Sequence, residues 1–272
     1  MQSGQGYWGS PGELCVRPCF RFEDSKMTAI GAVIAPWGVL MAADGRMTSD
    51  DCSDTKDDVQ KLFSIVDPGR TLVYALAGSI AKRDFSFDLS RECRRIVEAF
   101  SVLEVPDWVD YVNALGRALG VAMTSANHLP KSNGKSERGW TIAEMTIGGY
   151  FAASAFLAVF RWSHLNGTVI FSLEESHKQK YALLYGSGTV YDRMYDSNRR
   201  PISDSPLANY AHDLKIDDSP HGAERYAVGY IRACCSPEGR AIDPAGCSGI
   251  GGHIHLAKVT ADAGFEWIVQ PK

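Results

Sequence analysis

Residues 28–48 read TAIGAVIAPWGVLMAADGRMT, and this stretch decides how the rest of the chain is understood. Two apolar runs, Thr28–Ala35 and Val39–Asp44, flank Pro36-Trp37-Gly38, a turn signal, so the segment predicts a β-hairpin. The second run ends on Asp44-Gly45-Arg46. Asp44 and Arg46 fall sixteen and eighteen residues after Thr28, so a hydroxyl, a carboxylate and a guanidinium are tied to one hairpin.

Working outward, KLFSIV and TLVYALAG on either side of Asp67-Pro68-Gly69 predict a second hairpin. Leu89, Cys93, Ile96, Val97, Phe100 and Leu103 recur at helical spacing, as do Trp108, Val112, Leu115, Leu119 and Met123 after Pro106. Strands return in TIAEMTIGGY, SAFLAVFRW, TVIFSL and YALLYG, with Asn166-Gly167 as a tight-turn signal between the second and third. A second helical pair is expected in GTVYDRMYDS and HGAERYAVGYIRACC, the latter opened by Ser219-Pro220, before final strands in GHIHLAKVT and GFEWIVQ. The order of strands, two helices, strands, two helices, strands with short connections excludes βαβ alternation. It predicts an α+β chain of two antiparallel sheets with helix pairs on the outer faces.

At 272 residues the chain can bury a large core, and residues 1–20, rich in Gly, Ser and Pro, read as an N-terminal extension to a single domain over 21–272. A net charge of -4 without a basic run points away from nucleic-acid and membrane partners. With no signal peptide pattern and no apolar run of spanning length, the expectation is a cytoplasmic protein. The seven cysteines are scattered without a C-x2-C pair, so neither a disulfide framework nor a metal centre is expected, and no cofactor is called for. His253 and His255 alternate onto one strand face, but two ligands without a carboxylate at a fitting spacing make a poor metal site. Phe156, Phe160 and Trp162 read as sheet core or a subunit contact, and Cys234-Cys235 as core.

The text TAIGAV, GVLMAADGRMT, QKLFSI, ALAG and YGSG, in that order, resembles the proteasome β-subunit family of N-terminal nucleophile hydrolases. It is also similar to the proteolytic subunit of the bacterial ATP-dependent double-ring protease. The resemblance implies a four-layer αββα sandwich and a threonine peptidase that carries Thr28 as the first residue of the mature chain. Asp44, Arg46 and Lys61 would surround it, with one inserted residue before Lys61 and Lys56 as the fallback. Gly78 would serve the oxyanion hole, and Ser187 would bind the terminal amine. Asp243 and Ser248, before Gly251-Gly252, complete the set by residue type rather than by spacing. Implied partners are a peptide or unfolded protein substrate, further copies of the chain in a ring, and an ATPase.

The chemistry needs these types. A threonine hydroxyl is a weak nucleophile, a free α-amine can act as its base, and an ammonium held by a carboxylate lowers the hydroxyl's pKa. While Met27 remains attached, that amine is an amide and the site is capped. Methionine excision after initiation at Met27 would uncover it. A silent scaffold or gating subunit, and an amidase acting on small amides, are the alternative readings.

Overall fold

The computed structural model describes residues 15–18, 28–48, 55–81, 86–100, 105, 107–128, 140–165, 168–215, 217 and 219–272. Strands β1 (Cys15–Pro18), β2 (Ile30–Ala35), β3 (Gly38–Ala43), β4 (Met47–Thr48), β5 (Thr55–Lys56), β6 (Leu62–Asp67) and β7 (Arg70–Gly78) precede helices α1 (Leu89–Phe100) and α2 (Trp108–Ser125). Then come β8 (Trp140–Phe151), β9 (Ser154–Leu165), β10 (Thr168–His177) and β11 (Tyr181–Tyr185). Helices α3 (Gly188–Met194), α4 (Pro220–Cys235), α5 (Pro237–Ile242) and α6 (Pro244–Cys247) lead to β12 (His255–Thr260) and β13 (Gly264–Val269).

The expected two antiparallel sheets with helix pairs on their outer faces are corrected. The described residues form three sheets: six strands in the order β1-β11-β2-β3-β12-β13, five in the order β10-β9-β8-β7-β6, and the two-stranded β4-β5. The largest is mixed, because β1 runs parallel to β11 from Cys15↔Tyr181 to Pro18↔Leu184. A short edge strand is held by backbone hydrogen bonds, so hydrophobic periodicity gives no warning of it. Both helices of the expected second pair are present, as the short α3 and the sixteen-residue α4, and the short α5 and α6 follow them. The four-layer αββα reading therefore does not describe this chain. The Asn166-Gly167 turn and Pro106 lie outside the described residues.

Alternation along β2 and β3 sorts their side chains into two apolar clusters. Ala29, Val33, Leu40 and Ala42 pack with Val190, Tyr226, Ala227, Tyr230 and Ile231 of α3 and α4. Ile30, Ala32, Ile34, Val39, Met41 and Ala43 instead meet Leu62, Val73, Ala75 and Ala77 of β6 and β7. A third cluster joins α1 and α2 to the other face of the five-stranded sheet, through Cys93, Ile96, Leu115, Leu119 and Met123. Each such buried leucine or isoleucine contributes about 1.5–3 kcal/mol. Phe156, Phe160 and Trp162 belong to this third cluster, where the Trp162 indole N–H donates to Gly116 O at 2.8 Å. Asp107 caps α2 by accepting from Val109 N and Asp110 N, and Ser219 caps α4 by accepting from Gly222 N.

What this architecture positions is one end of the face between the two larger sheets. Ile30 pairs with Ala43, and Ala43 with His255, so β2, β3 and β12 end in one row. Thr28 leads into the first strand, Asp44 leaves the second, and Lys61 enters β6 from the opposing sheet.

Candidate active site

Thr28, Asp44 and Lys61 are all buried, at 5%, 0% and 3% exposure, although each is polar or charged. Such groups are tolerated inside only when paired, and these three pair with one another. The Lys61 ammonium donates to Thr28 Oγ1 at 3.0 Å and to Asp44 Oδ1 at 3.1 Å. Lys61 thus bridges the threonine hydroxyl and the aspartate.

The backbone holds Asp44 in place. Ala29 N donates to Oδ1 at 2.9 Å, while Arg46 N and Gly251 N donate to Oδ2 at 3.2 and 3.1 Å. Asp44 N in turn donates to Ala29 O at 3.0 Å, which ties the end of β3 to the start of β2. With Lys61 the carboxylate accepts four hydrogen bonds, two on each oxygen. Burial raises the Asp44 carboxyl above its ordinary value, opposed by Lys61 and by the N–H groups of Gly251 and Ala29. Burial lowers the Lys61 ammonium, opposed chiefly by Asp44. A lysine held below its usual range sits closer to losing a proton than a surface lysine does.

Arg46 reaches this site through its backbone N–H; its guanidinium turns away and pairs with Asp57 at 2.6 and 2.9 Å. That fork closes the connection carrying β4 and β5 and raises the Arg46 pKa through the Asp57 hydrogen bond. Lys56, the fallback lysine, is exposed in β5 opposite Met47, so Lys61 is the lysine at Thr28. Gly251 was legible only as half of a Gly-Gly pair. A Cβ on it would sit 2.6 Å from the Arg46 guanidinium carbon, so its bareness lets Arg46 lie across the loop that supplies Asp44 with a donor. Neither the Gly251 donor nor Asp57 was foreseen, because backbone N–H groups carry no residue signature and the Arg46–Asp57 spacing follows no motif.

Gly78 closes β7 at φ +88, where a Cβ would come within 2.6 Å of Ile142 O. This left-handed turn requires glycine. Ser187 caps α3 by accepting from Val190 N at 3.1 Å, and its hydroxyl donates to Asp243 Oδ2 at 2.5 Å. Asp243 accepts from Gly246 N at 2.9 Å and caps α6. These two residues are brought together, but Ser248 is not with them: it is exposed and donates to Ala245 O of its own helix at 2.9 Å. Among the described residues, Gly78, Ser187, Asp243 and Ser248 make no hydrogen bond to Thr28.

No group of three or more His, Cys, Asp or Glu side chains that could hold a metal occurs among the described residues. His253 bonds Gln270 O at 2.8 Å, whereas His255 is fully buried and neither ring nitrogen is bonded among the described residues. Cys234 and Cys247 are buried in the cluster around α4, and Cys19 and Cys52 lie outside the described residues. No described helix is long and apolar enough to cross a membrane.

No family model matches the chain, and no curated protein matches it. Among solved structures it is similar to an Anbu (Gly-1) mutant from Hyphomicrobium sp. strain MC1, at 15% identity and TM-score 0.45, over 89% of this chain and 87% of that one. It is also similar to Anbu (ancestral beta-subunit) from Yersinia bercovieri, at 12% identity and TM-score 0.47, again over 89% and 87%. The resemblance to the proteasome β-subunit family read from short motifs is corrected by these findings. No family model bears it out.

Proposed function

We propose that the protein hydrolyses peptide bonds with the Thr28 hydroxyl as nucleophile, once the bond between Met27 and Thr28 has been opened. The observation that carries this reading is the buried Lys61 ammonium, shared between Thr28 Oγ1 at 3.0 Å and Asp44 Oδ1 at 3.1 Å.

The Lys61 ammonium, donating to the hydroxyl oxygen, stabilises the alkoxide that forms as the proton leaves, and the freed α-amine takes that proton through a water. Oγ1 then bonds to the substrate's carbonyl carbon, giving a tetrahedral oxyanion that needs backbone donors; Gly78, at the strand end, is the residue we assign to it. Collapse breaks the C–N bond, the departing amine receives the proton, and an ester to Thr28 remains. Water, deprotonated by the α-amine of Thr28, bonds to the ester carbon; collapse breaks the C–Oγ1 bond, the acid leaves, and the α-amine returns the proton to Oγ1. Asp44 takes no proton in this cycle. Its four hydrogen bonds keep it anionic, so that Lys61 stays charged and aimed. Ser187 has a second acceptor lone pair, which suits the role of holding the α-amine.

The test joins mass spectrometry with kinetics. The reading expects a mature chain beginning at Thr28, and loss of fluorogenic-peptide hydrolysis by at least about a thousandfold in Thr28→Ala. An intact Met27–Thr28 bond in a preparation that hydrolyses peptides, or a Thr28→Ala variant that retains the activity, would overturn it.

A further inference from the structure

His255 opens β12 directly beside Ala43, which in turn lies beside Ile30. Ala257 and Val259, two and four residues on, face the cluster between the larger sheets, while Leu256 faces α4. Alternation therefore turns the imidazole inward, onto the face that Lys61 reaches. It is 0% exposed, and among the described residues neither Nδ1 nor Nε2 has a hydrogen-bond partner. A buried unbonded polar atom costs on the order of 1–3 kcal/mol, so two on one ring demand an explanation.

The adjoining site has the complementary deficit. An ammonium carries three N–H donors, and Lys61 uses one on Thr28 and one on Asp44. A neutral imidazole offers one acceptor and one donor. Between the rows, the side chain at position 43 is only a methyl group. The two groups make no direct hydrogen bond, yet they act on one another electrostatically. A buried water with polar partners on both sides is the ordinary solution to such a gap.

We propose that His255 is a positioning residue for Lys61: its ring nitrogen accepts, through one bound water, the third hydrogen of the ammonium and thereby fixes Nζ on Thr28 Oγ1. Burial, His253 and Lys61 hold the imidazole down to about 4, so near neutral pH the ring is uncharged and able to accept. A second cation would defeat the arrangement. The link between His255 and Lys61 stands independently of catalysis, while its kinetic consequence rests on the hydrolase reading above.

The experiment follows Lys61 itself, by NMR of [13C]lysine-labelled protein through a pH titration of wild type, His255→Leu and His255→Gln, with Lys61→Met to assign the signal. Removing an acceptor from the charged form should lower the Lys61 pKa by about one unit in His255→Leu, with recovery toward wild type in His255→Gln. Superimposable titrations in all three would overturn the proposal. Should His255→Leu fail to fold, the 15N shifts of the wild-type ring decide: a hydrogen-bonded acceptor nitrogen supports the link, and a free lone pair overturns it. In the kinetic arm, His255→Leu should lose on the order of tenfold in kcat with KM little changed, and His255→Gln should recover it. A Lys61 shift in a protein that hydrolyses no peptide leaves the link intact and removes the hydrolase reading. Hydrolysis with unshifted Lys61 does the reverse.

Discussion

Asp44 and Asp243 are both carboxylates bonded to a residue with a hydroxyl or ammonium and to backbone N–H groups, yet they stand in different places. Asp44 is fully buried and gathers donors from Ala29, Arg46, Lys61 and Gly251, the last 207 residues away. Asp243 is half-buried and serves its own helix, with Ser187 as its distant partner. The difference teaches that a carboxylate near a motif is informative through what it bonds. Asp44 neutralises a buried cation, and Asp243 terminates helices. Alanine at each position is the direct way to break the comparison. Asp44→Ala strands the Lys61 ammonium in the interior, and urea denaturation should show a loss of about 3–5 kcal/mol. Asp243→Ala removes a cap and should cost about 1 kcal/mol. Equal losses would mean that the two carboxylates do the same job.

The next effect sharpens the account of the Asp44 end by titrating the imidazole beside it. The folded-state pKa of His255 is about 4, below its ordinary 6.5. As pH falls, the unfolded chain therefore binds the proton first. The stability linked to this group is fully present above pH 6.5 and is lost as pH falls through about 4. Between pH 7 and pH 4.5 wild type should lose about 2–3 kcal/mol more than His255→Leu, whose other acid-labile groups are the same. Parallel stability curves would show that His255 is accessible to protons in the folded state.

Gly251 links the buried carboxylate to the exposed Arg46–Asp57 fork. The distal end of a flexible side chain can ordinarily move aside for a new methyl group, but the Arg46 guanidinium is tied by two bonds to Asp57. Gly251→Ala should therefore cost about 1–2 kcal/mol. The same change in an Asp57→Asn background, where the fork is loosened, should cost measurably less. Additive effects in that double-mutant cycle would show that Arg46 does not transmit strain from the loop to Asp57.

How much of this was legible follows from the kind of bond involved. The hairpin β2–β3 could be read because its apolar runs and its turn are properties of residues, and Lys61 could be read through its place before β6 despite the inserted residue. Strand β1 could not be read, because its pairing to β11 is a property of backbone. The Gly251 donor to Asp44 escaped for the same reason. His255 looked like an ordinary strand histidine, since its burial depends on a row of three strands that no local pattern encodes. The motif series also suggested a family and a layered sandwich that neither the family comparison nor the three observed sheets support. Short motifs carried the positions of Thr28, Asp44 and Lys61 better than they carried the architecture.

Ser248 gives the smallest effect and the clearest contrast. It was singled out because a serine ahead of Gly251-Gly252 fits the residue type expected near the α-amine. Its hydroxyl instead donates to Ala245 O within one turn and faces solvent. A side chain that bonds its own helix in water exchanges one hydrogen bond for another of similar strength, so removing it changes little. Ser248→Ala should alter stability by no more than about 0.5 kcal/mol and leave peptide hydrolysis unchanged. A fall in rate at unchanged stability would mean that Ser248 swings inward once Thr28 is uncovered. In that case the loop from α5 to Gly251 would rearrange when Thr28 is uncovered, and the Asp243 cluster would join the Asp44 cluster rather than stand apart from it.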